Sequence, residues 1–169
     1  MKTIHQRITN CLWFDSEAEE AAQFYTSIFP DSSIGTISRY GKEGFEFHHQ
    51  PEGKAMVVMF KLDGQEFMGL NGGPLFPFTE AISLVVNCKD QAEIDYYWDR
   101  LTVDGKEVQC GWLKDKFGVS WQVTPIQMGE MMRNGTPEQM GRVTNAYMKM
   151  KKFDLKTLED AYNGVKREK

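Results

Sequence analysis

β-branched and aromatic side chains mix with polar ones along Arg7–Phe14 (RITNCLWF), a pattern that predicts a strand. At Asp15-Ser16, a good helix N-cap, the period changes. Through Glu17–Phe29 the apolar residues Ala21, Phe24, Tyr25 and Ile28 recur at helical spacing, acids occupy the first turn, and Pro30 ends the helix. Ile34–Tyr40 reads as a second strand, and the polar stretch Gly41–Lys54 as a loop. Ala55–Leu62 and Gln65–Asn71 flank Asp63-Gly64, a two-residue hairpin signal of the type I′ kind. Two glycines and two prolines in Gly72–Phe78 break any regular element.

The pattern then starts again. Glu80–Asn87 predicts a strand and Asp90–Leu101 a helix, with Ile94, Tyr97, Trp98 and Leu101 on one stripe. Asp104-Gly105 marks a turn, followed by paired strands in EVQCGWLK and VSWQVT. The strand that would complete the copy is missing, or short and hidden near Gly105. Laying Phe14 on Val86, an offset of 72, aligns Phe24-Tyr25 with Tyr96-Tyr97 and Phe29 with Leu101. The expected fold class is therefore α+β, with two βαβββ modules. The boundaries are 4–71, a linker over 72–79, the second module over 80–125 and a helical tail over 126–169. A single domain without a repeat is the alternative. In the tail, Thr136 with Pro137 at the first helical position, and Asp154 with Gly164 as stop, set out two of three predicted helices.

Composition narrows the function classes. A chain of 169 residues, 41% hydrophobic and 26% charged, can bury a core without disulfides or a structural metal. Its net charge of −4 lacks the footprint of a nucleic-acid binder. No apolar run approaches a membrane span, and the first ten residues hold no secretory signal. Cys11, Cys88 and Cys110 are odd in number and widely spaced, which fits free thiols in a reducing cytoplasm. His48 and His49 sit in a polar stretch and read as surface residues, and His5 lies near the terminus.

Gln122 and the two tryptophans of CGWLKDKFGVSWQVTP raise the question of a site. If Asp115–Gly118 is the turn, Lys114 pairs with Val119 and Trp112 faces Trp121. Alternation then puts Trp112, Trp121 and Val123 on an apolar face under the helices. Gln122 falls on the opposite face, with Gln109, Gly111, Ser120 and Thr124. A slip of one residue reverses such an assignment.

FDSEAEEAAQFYTSIFPDS, CGWLKDKFGVSWQVTP and MKMKKFDLKTLEDAYNG occur in order along the chain. Together they resemble the PhnB-like branch of the glyoxalase/bleomycin resistance/dioxygenase (vicinal oxygen chelate) superfamily, over about Ile4–Gly164. Members are often labelled 3-demethylubiquinone 3-methyltransferase. The resemblance implies paired βαβββ modules whose curved mixed sheets form a cup for a small molecule, and a homodimer as the usual state. It also implies one divalent metal, held by His or Glu on the first and last strand of each module. Here those positions fall on Thr9, Met68, Ala81 and Gln122. None is an imidazole or a carboxylate, so no metal and no other cofactor is expected.

Alternation places Thr9, Cys11 and Trp13 in the cup from the first strand, and Ala81, Ser83 and Val85 from its copy. The expected ligand-binding set is Thr9, Cys11, Trp13, Met68, Ser83 and Gln122. Catalytic residues are not identifiable: no general base emerges, and Cys11 reads as a small buried filler, with no partner placed to activate it. The expected function is binding of an unknown small molecule, with no nucleic-acid or membrane partner. Metal-dependent isomerase, lyase or oxygenase chemistry is the alternative. A methyltransferase using S-adenosylmethionine is a third reading, against which stands the first strand–helix turn FDSEAEE, which holds no glycine.

Overall fold

The computed structural model describes residues 6–165. His5 and the outermost parts of the expected first module and tail lie outside the described residues. The chain divides into two units, Met1–Phe78 and Thr79–Lys169.

The first unit contains β1 (Asn10–Phe14), α1 (Ala18–Ile28), β2 (Ser33–Arg39), α2 (Phe45–His48), β3 (Ala55–Leu62) and β4 (Gln65–Asn71). Its sheet has the order β1-β4-β3-β2, with β1 parallel to β4 and the other pairs antiparallel. Asp63 and Gly64 both take positive φ (45° and 79°), as a type I′ hairpin requires. The helix buries Ala18, Ala21, Ala22, Tyr25 and Ile28. The small alanines let it lie close on the sheet: a Cβ on Gly69 would meet that of Ala18 at 3.1 Å. Phe60 stacks on Phe67 at 5.5 Å on the same face.

Two expectations change in this unit. The cap of α1 is not Asp15-Ser16. The N-cap is Glu17, which makes no side-chain cap bond, and the Ala18 N–H donates instead to Asn71 Oδ1 of β4 at 2.9 Å. The fully buried Asn71 also donates through Nδ2 to Ala55 O, and its own carbonyl accepts from the Tyr40 hydroxyl at 2.6 Å. A long-range contact thus replaces a local one, which strand alternation alone does not reveal. The loop over residues 41–54 contains the short helix α2. His48 is half-buried there, with its ring 4.5 Å from that of Tyr40 and its Nδ1 accepting from Gln50 N, while His49 stays exposed.

The second unit repeats the topology. It contains β5 (Leu84–Cys88), α3 (Gln91–Leu101), β6 (Lys106–Glu107), β7 (Trp112–Lys114) and β8 (Ser120–Pro125) in the order β5-β8-β7-β6, again with the outer first strand parallel to the last. The chain is thus α+β, built of two βαβββ modules in four-stranded mixed sheets. The missing strand is β6, only two residues long. Here α3 is capped locally: Asp90 accepts from Glu93 N, and Lys89 N donates back to Glu93. Strand pairing sets the offset between the modules at their first strands to 74 rather than 72. Cys11 pairs with Met68 in one sheet, and Val85 pairs with Gln122 in the other. The counterpart of Thr9 is therefore Ser83, not Ala81, which lies in a turn before β5.

The predicted strand EVQCGWLK is broken. Cys110 (φ 60°) and Gly111 (φ 78°) form a tight turn, closed by Trp112 N donating to Gln109 O. Beyond it come α4 (Ile126–Asn134), α5 (Pro137–Tyr147) and α6 (Leu155–Asn163). Met128, Met131, Val143, Phe153 and Leu158 form their shared core. The segment between α5 and α6 is tied to the turn, with Cys110 N donating to Met150 O and Gly111 N to Lys151 O. Arg142 of α5 donates to Ala161 O and Tyr162 O, filling orphan carbonyls at the end of α6. Thr136 and Gln139 form a capping box on α5, and Gly164 ends α6 with φ 71°.

Candidate functional site

The loop between β7 and β8 decides which tryptophan is buried. Asp115 Oδ1 accepts from Phe117 N and Val119 N, and Oδ2 accepts the indole N–H of Trp121 at 2.8 Å. Asp115 N in turn donates to Val119 O. The loop therefore holds one residue more than a turn over Asp115–Gly118 would, and the register moves by one. Lys114 pairs with Ser120, Leu113 with Trp121, and Trp112 with Gln122. Trp121 and Leu113 lie in the core, 3% and 0% exposed. The expected Trp112–Trp121 clasp does not form, and Trp112 shares the opposite face with Gln122. Leu113, which completes the buried stripe of β7, was the available signal.

On this face Val85, Trp112 and Gln122 lie side by side across β5, β8 and β7. Gln122 Nε2 donates to Ser83 Oγ at 2.9 Å, joining two of the expected site residues. A cleft of about 580 Å³ opens here. Asn87, Trp112, Gln122 and Thr124 supply its floor; Met128, Gly129, Met132 and Arg133 of α4 supply one wall, and Tyr147 flanks it. The volume lies within the range of small-molecule sites.

The four indole N–H groups differ in one respect. That of Trp13 donates to Gly73 O, that of Trp98 to Glu107, and that of Trp121 to Asp115. The indole N–H of Trp112, half-buried at the cleft, has no partner among the described residues. A buried or half-buried indole usually finds an acceptor.

The remaining expected residues belong to the first unit. Cys11 and Met68 are direct register partners on the sheet face opposite α1, and Trp13 follows two residues on. Trp13 is turned back on its own linker. Its ring lies 4.9 Å from Phe76 and against Gly72, where any Cβ would overlap the indole. Thr9 precedes β1 and is half-buried. Cys11 is exposed rather than a buried filler, and partial cover of its thiol pushes the pKa upward. That is the opposite of what an activated nucleophile needs.

The donor chemistry does not suit a catalytic divalent ion. With the corrected offset, the first and last strand positions carry Thr9, Met68, Ser83 and Gln122: two hydroxyls, a thioether and an amide. Among the described residues no group of three or more His, Cys, Asp or Glu side chains converges anywhere. The first strand–helix turn also makes a poor cradle for a nucleotide-like cofactor, since Glu17 Oε2 already occupies Ser16 N and Asn71 occupies Ala18 N. No helix among the described residues is long and apolar enough to cross a membrane.

Comparison with known proteins agrees with this architecture. The sequence model described as 3-demethylubiquinone-9 3-methyltransferase matches residues 6–124. A PhnB protein of Bacillus cereus, whose description carries the same methyltransferase label, is 42% identical. It matches with a TM-score of 0.63, covering 71% of this chain and 99% of its own. A Pseudomonas aeruginosa protein of 19% identity matches with a TM-score of 0.57, over 71% of this chain and 97% of its own. The fosfomycin resistance protein FosX of Listeria monocytogenes, determined with Mn(II) and sulfate, is 17% identical with a TM-score of 0.50, over 78% and 98%. The last two share the fold. No functionally curated protein matches the chain. The chain belongs to the 3-demethylubiquinone-9 3-methyltransferase family, which its PhnB relative shares, and its fold is glyoxalase-like.

Proposed function

We propose that the protein binds a small organic molecule in the cleft between the β5-β8-β7 face and α4, without a catalytic metal. The observation that carries this reading is the indole N–H of Trp112, the one of the four indole donors with no partner among the described residues. Its ring offers a stacking surface and its N–H a hydrogen bond. Beside it Gln122 Oε1 and the Thr124 hydroxyl carry no partner among the described residues either. Thermal-shift screening of a metabolite library with EDTA present tests the reading. Hits should persist in EDTA and disappear in Trp112→Ala. Hits that depend on added metal, or that survive Trp112→Ala unchanged, would overturn it.

The reading includes a homodimer in a reducing compartment. The exposed Phe47 and Leu75 and the three free thiols support it. Sedimentation equilibrium at micromolar concentration checks the dimer, and a monomer there would remove it from the reading.

A further inference from the structure

The chemistry of α4 says more about the ligand. The helix borders two hollows on different sides. Met128, Gly129, Met132 and Arg133 line the cleft, while Gln127, Met131 and Asn134 line a smaller hollow on the other side. Glu130 stands on the ridge between and borders both. Arg133 is thus the charged group that belongs to the cleft alone, and it makes no ion pair or hydrogen bond with any described residue. With the Trp112 N–H it gives the cleft two unused donor groups, beside the unused acceptor Gln122 Oε1.

Gly129 is the second observation. It sits inside a nine-residue helix, where glycine costs about 1 kcal/mol relative to alanine. Packing does not require it. An added Cβ would meet only the Arg133 guanidinium, at 3.4 Å. The glycine instead leaves α4 flat where it faces the cleft and leaves room beside the guanidinium.

We infer that the cleft takes a planar aromatic molecule carrying a carboxylate or similar anionic group, with the ring against Trp112 and the anion on Arg133. Guanidinium groups suit planar, two-oxygen anions because their N–H donors form a fixed fork. The wall that carries Arg133 follows residue 124, where the match to the family's sequence model ends. The anion preference is therefore a property of this chain's helical extension. The inference rests on the small-molecule reading above and narrows it.

Three probes of one shape test it by calorimetry: 2-naphthoate, neutral 2-naphthamide and cationic 2-naphthylmethylamine. The naphthoate should bind about tenfold more tightly than the amide, the scale of one charged hydrogen bond, and the amine more weakly than both. Arg133→Met should reduce naphthoate to the level of the amide and leave the amide unchanged. Gly129→Ala should raise Tm yet weaken naphthoate binding, a combination that a purely structural glycine would not give. Equal affinity for naphthoate and amide, indifference to Arg133→Met, or no binding of any of the three overturns the inference. The broader reading is decided separately. Neutral library hits lost in Trp112→Ala would leave that reading standing while this one fails.

Discussion

Asp115 and Trp121 are bound side chain to side chain at 2.8 Å, and both are buried, 3% exposed each. The same carboxylate holds two backbone N–H groups of its loop. Asp115→Ala would leave three donors without this acceptor, at a cost of roughly 2–4 kcal/mol. Urea denaturation should show that loss. Asp115→Asn, which keeps one acceptor oxygen, should lose less. The carboxylate also fixes the β7–β8 register, so Asp115→Ala should lower the affinity of any ligand held by Trp112.

Asn71 acts in the first unit as Asp90 does in the second, but from a distant strand. Asn71→Ala removes the acceptor for Ala18 N and the donor to Ala55 O at a buried site. We expect a loss of roughly 2–3 kcal/mol. Hydrogen exchange should quicken first at the start of α1. Exchange that rises evenly through both units would contradict this assignment.

Gly111 should tolerate no side chain. Its φ is 78°, and a Cβ would approach Phe153 to 2.5 Å and Val123 O to 2.9 Å. Gly111→Ala is expected to cost more than about 2 kcal/mol from backbone strain and overpacking together. Limited proteolysis should then cut between α5 and α6, where the chain is tied to this turn. A variant as stable and as resistant as the parent would show that the tail is not anchored there.

Cys88 carries a pH signature. Burial, with smaller contributions from Glu93 and Asp90, pushes its thiol pKa from an ordinary 9.0 to about 12. Between those values the unfolded chain ionises this thiol while the folded chain keeps it protonated. Stability should therefore fall as pH rises from about 9 to 12. The parent should show this slope more strongly than Cys88→Ala, in denaturation curves taken at each pH. Iodoacetamide at pH 8 should label Cys88 only after urea is added.

Trp112 should report occupancy of the cleft. It is half-buried, as is Trp13 in the first unit, whereas Trp98 and Trp121 are enclosed. Acrylamide should quench the emission of Trp13 and Trp112, and a ligand bound in the cleft should protect the Trp112 share alone. Trp112→Phe should remove the protected component.

Much of the fold was legible because local signals agreed with it. Asp63-Gly64 specified its hairpin, and the bounds of β3 and β4 match their apolar runs. Thr136-Pro137 and Asp154…Gly164 opened and closed their helices as written. The site was legible only in part. Gln122 and Ser83 could be placed because β8 alternates cleanly and the repeat was offset by an even number of residues. An error of two preserved the face and changed only the partner. Trp112 could not be placed, since its face depends on a single extra residue in the loop around Asp115. That residue is fixed by a side chain accepting backbone N–H groups, which has no period to read. The cap supplied by Asn71 escaped for the same reason: a contact spanning 53 residues leaves no local trace.

The boundary at residue 124 has a consequence for reasoning by kinship. The sheet that floors the cleft is inherited from a common stock, but the helix overhanging it is not covered by that inheritance. A substrate established for a cousin would vouch for the floor and be silent about the overhang. If selectivity resides in the overhang, grafting residues 125–165 onto the Bacillus cereus protein would transplant the preference along with them.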